Sequence, residues 1–154
     1  YLGNAAATEG SYTADGWFRT GDRVDLLEDG SIRFGDRTKD MLKVGGENVA
    51  ASEIERVIAS VPGVGECAVV ARPHRMLDEV PVAFVLVAPG SNAEGLAERI
   101  VAACTTQLAK FKCPHEVRVV TELPRSTLEK VAKAQLRQRL LDEAAQQAEA
   151  STPD

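Results

Sequence analysis

Residues 82–87, VAFVLV, are apolar at every position. A strand with one wet face alternates, so an unbroken apolar run of this length reads as a strand covered on both faces. The segments around it supply the cover. ECAVVA at 66–71 reads as a second strand, and EVRVV at 116–120 alternates well enough for a third. Ser52 and Glu55 have the spacing of a capping box, after which Ile54, Val57, Ile58 and Val61 fall on one helical face until Pro62-Gly63 stops them. Ser91 and Glu94 repeat that pattern ahead of a helix turning Leu96, Ile100, Val101, Cys104 and Leu108 inward. A last helix is expected from Val131 to about Gln147, with Leu136 and Leu140 on its inner face, and the end, AEASTPD, is expected to fray.

Upstream, DLLEDGSIRF at 25–34 sets Asp29-Gly30 between two β-prone runs, a strong hairpin signal, and Gly45-Gly46 punctuates the chain again. The expected fold is α+β: an N-terminal β-hairpin, then a small domain with a central, mainly three-stranded sheet flanked by helices. No internal repeat is visible.

Eighteen basic against 23 acidic residues, with no basic stripe, argue against a nucleic-acid partner. No apolar run approaches the ~20 residues that span a bilayer, so no membrane span is expected. Cys67, Cys104 and Cys113 are odd in number, widely spaced and lack a CxxC pair, which disfavours a metal site or disulfide framework and fits the cytoplasm. Cys67 and Cys104 lie on apolar faces and read as core. His74 and His115 stand apart in loops with no partner at triad spacing.

Three stretches carry chemistry in order: DGWFRTGD at 15–22, GDRTKDMLKVGGENVAASEIE at 35–55 and LPRSTLEKVAKAQLR at 123–137. With AKFKCP at 109–114 they resemble the C-terminal portion of the adenylate-forming enzymes, closest to the AMP-forming acyl-CoA synthetases, and the resemblance covers about Tyr1 to Leu140. It implies an acid–thiol ligase that activates a carboxylic acid with ATP and passes the acyl group to coenzyme A. It also implies Mg2+ and a large N-terminal adenylation domain of the same enzyme. The chain then divides into the tail of that large domain (1–38), a C-terminal lid (39–141) and a helical extension with frayed tail (142–154). The lid closes for adenylation and rotates for thioester formation. An opening YLGNAAATEG without initiator Met reads as the middle of a longer chain, and because the resemblance places the family's phosphate loop and acyl pocket upstream of residue 1, the polypeptide alone is expected to be inactive.

The same resemblance assigns roles. Asp22 matches the carboxylate that accepts hydrogen bonds from both ribose hydroxyls, and Arg37 matches an arginine that helps hold the nucleotide. Lys39 falls where the family places its hinge. Gly45 and Gly46 lie where a glycine borders the pantetheine channel, and Lys43 matches a position that faces the active site in the thioester-forming pose of some members. Lys130 matches the lysine of the C-terminal motif, a proline, four residues, usually glycine, then lysine. The resemblance makes it a mobile cation for the adenylation transition state. Lys133 reads as a solvated helix residue. The usual glycine before the lysine is Glu129 here, which adds a carboxylate and removes backbone freedom. Two alternatives stay open: the lid of an adenylating enzyme that loads a carrier protein, and a standalone non-catalytic binding module. The acyl pocket is not among these motifs, so the carboxylic acid is not readable.

Overall fold

The structure is a computed structural model describing residues 1–150. The chain forms two compact units, residues 1–40 and the remainder from Met41.

The first unit opens with a short helix, α1 (Ala5–Gly10), whose Asn4 cap accepts the Ala7 N–H at 2.9 Å. Strands β1 (Asp22–Leu26) and β2 (Ile32–Arg37) then pair antiparallel. Their turn is the one expected. Gly30 takes φ +80°, and the Asp29 carboxylate accepts the Ser31 N–H at 2.9 Å, a turn chemistry in which the acidic side chain substitutes for a backbone acceptor. Val24, Leu26, Ile32 and Phe34 of this hairpin are exposed.

The second unit is a five-stranded sheet covered on both faces. Its strands are β3 (Met41–Val44), β4 (Glu47–Ala50), β5 (Val64–His74), β6 (Asp78–Val87) and β7 (Glu116–Val120). β5 and β6 pair antiparallel from Val64↔Val87 to His74↔Asp78, while β7 runs parallel to β6 from Val82↔Glu116 to Leu86↔Val120. These are the three expected strands. The hairpin β3–β4 adds two more, joined to β6 through Val44↔Asp78. It escaped the sequence reading because its strands have four residues each, and only Leu42, Val44 and Val49 carry the inward alternation.

β6 bears out the two-sided reading. Ala83 and Val85 face a core shared with helices α2 (Ala51–Ala59) and α3 (Leu96–Gln107), built on Ile54, Ile58, Leu96, Ile100 and Cys104. Val82 and Phe84 face the opposite core, where Leu136 and Leu140 of α4 (Lys133–Ala150) pack with Ala68, Val70 and Leu123. Burying each such aliphatic side chain contributes about 1.5–3 kcal/mol, which makes these two layers the main source of cohesion.

Local details differ from expectation. α2 starts with Ala50 as N-cap and no side-chain cap bond. The Glu55 carboxylate instead accepts the Val69 N–H on the open edge of β5 at 2.7 Å, because a bond to an otherwise unpaired edge amide is worth more than a redundant cap. α3 starts after Gly95 at φ +63°, and ahead of it Asn92, not Ser91, accepts the Glu94 N–H. Val101 points outward, 43% exposed. α4 begins at Lys133, not Val131, and is helical through Ala150. Residues 148–150 of the expected tail are helical, and 151–154 lie outside the described residues.

All three cysteines are free thiols. Burial, reinforced by the Glu55 charge, pushes the Cys67 thiol up to about 12, and burial pushes Cys104 up to about 11. The thiolate is the nucleophile, so both should resist iodoacetamide at pH 8. Intact mass after native labelling is expected to show at most one adduct, and three after denaturation; two or more rapid native adducts would contradict this packing.

Candidate functional site

In the first unit, the β1–β2 register sets Asp22 opposite Arg37, so two residues fifteen positions apart in sequence become neighbours. Arg37 Nε lies 3.4 Å from Asp22 Oδ1. That contact is an ion pair outside hydrogen-bonding geometry, because Asp22 Oδ1 is buried with no hydrogen-bond partner among the described residues. An unsatisfied buried acceptor costs about 1–3 kcal/mol, and a ligand hydroxyl reaching it would recover that cost. Beside this pair, Thr20, Gly21, Arg37, Thr38 and Lys39 line a cleft of about 360 Å³. Gly21 takes φ +74°, and its carbonyl accepts the Thr38 N–H at 2.8 Å, which closes the base of the hairpin. Lys39 occupies a single 3₁₀ turn, Thr38–Asp40, at the end of the first unit.

In the second unit, Gly45-Gly46 is the two-residue loop of the β3–β4 hairpin. Both residues are left-handed, φ +58° and +88°, as a type I′ turn requires, so a backbone reason for glycine exists whatever binds nearby. The space beside Gly46 is open, and the Gly45 N–H donates to the Leu77 carbonyl at 2.8 Å. Lys43 points away from the core while its neighbours Leu42 and Val44 point in, and its backbone N–H donates to Glu79 Oε2 at 2.7 Å.

Lys130 lies in a small hairpin. Arg125 and Val131 form an antiparallel bridge, the Ser126 N–H donates to the Lys130 carbonyl at 2.7 Å, and the Glu129 N–H donates to the Ser126 carbonyl at 3.0 Å. These bonds define a three-residue loop, Thr127-Leu128-Glu129, whose last position must be left-handed to bulge the chain into register. Glu129 sits there at φ +57°. The motif's glycine thus answers a backbone demand, and a glutamate meets it at a cost of about 1–2 kcal/mol. Stability in thermal melts should follow the order Glu129→Gly, wild type, Glu129→Val, with steps of about 1 kcal/mol. A Val variant as stable as Gly would remove the left-handed assignment.

The Lys130 side chain is exposed, and its ammonium has no hydrogen bond or ion pair among the described residues. Lys133 is the opposite case. It is not a solvated residue: its Nζ lies 2.8 Å from Glu55 Oε1, with the two side chains 19% and 20% exposed. The α4 start brings Lys133 to the β5 edge, a placement that helical periodicity alone does not reveal.

Sequence reasoning also missed Glu66 and Arg125. Arg125 Nη1 donates to Glu66 Oε1 at 2.9 Å, Nη2 pairs with Oε2, and Nη1 also reaches the Glu129 carbonyl at 3.3 Å. The partners are 59 positions apart, so no local signal existed beyond the arginine's place in the motif. His74 and His115, read as separate, have ring centroids 5.6 Å apart, with Arg72 Nη2 3.3 Å from His115 Nδ1. No cluster of three or more His, Cys, Asp or Glu among the described residues could hold a metal ion.

A profile of the family described as AMP-binding enzyme C-terminal domain matches residues 53–130, just over half of the chain. The chain is 45% identical over 139 residues to the 3-[(3aS,4S,7aS)-7a-methyl-1,5-dioxo-octahydro-1H-inden-4-yl]propanoyl:CoA ligase of Mycobacterium tuberculosis, covering 90% of this chain and 27% of that protein. It is 38% identical to the 2-succinylbenzoate–CoA ligase of Listeria monocytogenes, covering 90% and 29% respectively. Among solved structures, the anthranilate CoA ligase AuaEII in complex with anthranoyl-AMP superposes with a TM-score of 0.82 at 33% identity, over 94% of this chain and 28% of that one. ATP-bound MatB from Rhodopseudomonas palustris gives 0.78 at 36% identity, over 87% and 26%. The chain thus spans about a quarter of the length of the curated relatives it matches.

Proposed function

The chain belongs to the AMP-binding enzyme C-terminal domain family, and on that premise we propose that it is the lid of an ATP-dependent, AMP-forming acid–CoA ligase. One observation carries the reading: Lys130 stands exposed on a braced hairpin, its ammonium without a protein partner among the described residues. When a carboxylate attacks the α-phosphate of ATP, negative charge grows on the phosphoryl oxygens. A point charge with rotatable donors, brought to that place and shielded from water, stabilises the transition state more than the ground state.

The remaining residues take parts consistent with this. The buried, unsatisfied Asp22 Oδ1 suits a ribose hydroxyl donor, and Arg37 at the opposite end of the register suits the nucleotide beside it. Lys39, one residue before the last position of the first unit, is assigned the hinge. Gly45, Gly46 and Lys43 are assigned to the pantetheine side of the second pose, where an open left-handed turn lets a thin acyl carrier pass close to the backbone. The rest of the enzyme supplies the acyl pocket and holds Mg2+ with the nucleotide phosphates. No helix among the described residues is long and apolar enough to cross a membrane, and three free thiols suit a reducing cytoplasm.

The test begins with the native polypeptide. Its intact mass is expected well above 16.5 kDa, with this sequence as one part of it. The purified enzyme is then assayed with a panel of aliphatic, aromatic and polycyclic acids for acid-dependent ATP–pyrophosphate exchange and for CoA thioester formation. Exchange and thioester formation with at least one acid support the reading. A full-length enzyme that exchanges pyrophosphate yet transfers acyl groups only to a carrier protein overturns the CoA assignment.

A further inference from the structure

The hairpin bearing Lys130 is tied down at both ends, once to β5 itself and once to an α2 carboxylate that is hydrogen-bonded to the β5 edge. In the first arm of the hairpin, Arg125 grips the Glu66 carboxylate with two nitrogens and also reaches the carbonyl of Glu129, the residue preceding Lys130. After it, Lys133 pairs with Glu55, whose Oε1 simultaneously accepts the Val69 N–H of β5. Between the ties, Ala132 N–H donates to the Pro124 carbonyl at 2.7 Å and Val131 packs on the core beneath α4. β5 is the outermost strand on its side of β6, so its free edge is where acidic side chains from α2 and β5 can meet basic ones from the hairpin.

Resting on the lid reading above, we propose that Arg125 and Lys133 are positioning residues: paired with Glu66 of β5 and with Glu55 of α2, they hold the two ends of the hairpin so that the Lys130 ammonium is presented at a fixed place. Three physical points favour this over two unrelated surface ion pairs. A two-nitrogen arginine–carboxylate grip fixes orientation as well as distance, which a single exposed contact does not. The Lys133–Glu55 pair is mostly shielded and shares an oxygen with a backbone amide, so its geometry is pinned to the sheet. Left alone, the loop would rest on a left-handed glutamate and a few turn bonds, and a mobile lysine stem adds its own freedom. A cation that must meet a developing charge loses effect steeply with misplacement, since about 1 Å can cost on the order of 10²-fold in rate.

The experiment uses the full-length ligase with Arg125→Gln, Arg125→Lys and Lys133→Met, beside Lys130→Ala. Adenylation is followed by pyrophosphate exchange, thioester formation by supplying the acyl-adenylate with CoA, and hairpin order by hydrogen exchange of the 124–132 peptide. Arg125→Gln and Lys133→Met are each expected to lower adenylation kcat about tenfold with KM for ATP within about twofold, and to speed exchange in 124–132 while β6 stays protected. Thioester formation should be unchanged, and Arg125→Lys should recover part of the loss. Unchanged adenylation in both variants, or equal loss in both half-reactions, overturns the proposal. If Lys130→Ala leaves adenylation intact, the lid reading fails and takes this proposal with it. If Lys130→Ala abolishes adenylation while the Arg125 and Lys133 variants do not slow it, the positioning assignment alone fails.

Discussion

Lys130→Ala in the full-length enzyme is expected to lower adenylate formation by about 10²–10³-fold while leaving thioester formation from supplied acyl-adenylate within about twofold. The size follows from what the ammonium is asked to do. Removing one preorganised donor aimed at developing charge raises a barrier by about 3–4 kcal/mol, and no neighbouring cation substitutes for it. Lys133, three residues on, is engaged with Glu55, and Arg125 with Glu66. The asymmetry between half-reactions follows from the proposed lid motion, in which a residue delivered in one pose is withdrawn in the other. Lys130→Arg should recover little, since a planar fork on a different stem does not place a point charge at the same spot. Equal losses in the two half-reactions would remove Lys130 from the role assigned to it.

Lys39→Pro should produce the reverse pattern. A hinge works because a few backbone torsions change widely between poses, and proline holds φ near −65° and removes the N–H. Lys39 lies in the single 3₁₀ turn Thr38–Asp40, which joins the two compact units. Freezing that joint in the adenylating pose should slow thioester formation on the order of 10²-fold, by keeping the second constellation from assembling, and alter adenylation little. Lys39→Ala, which leaves the backbone free, should be close to wild type. That comparison separates a hinge from a ligand-binding side chain: loss in the Ala variant as deep as in the Pro variant would mean the ammonium matters and the torsion does not. An unchanged thioester rate in Lys39→Pro would place the hinge elsewhere.

The legible parts of this molecule are those whose cause is local. VAFVLV announces a strand with two covered faces because its periodicity is written in consecutive residues, and the structure places Ala83 and Val85 against one layer and Val82 and Phe84 against the other. Asp29-Gly30 announces its turn because a left-handed φ at Gly30 and a side-chain acceptor at Asp29 are properties of those two residues. Lys130 is marked by its motif. Glu129, which looked like the anomaly in that motif, marks the left-handed corner of the loop instead.

What escaped the sequence is what long-range partners decide. Ser52 and Glu55 have the spacing of a cap, yet Glu55 is drawn to an edge amide and a lysine that only folding brings near. Lys133 has the pattern of a wet helix residue until α4 is laid across the edge of β5. Arg125 and Glu66 meet across 59 residues, a separation over which spacing carries no information. Periodicity and turn chemistry specified the layers of this domain, and motif order singled out Lys130 as the candidate, since each depends on residues within a few positions of one another. The choice of charged partners for Arg125 and Lys133 depended on the sheet existing first, because a carboxylate and a cation select each other only once packing has set their distance.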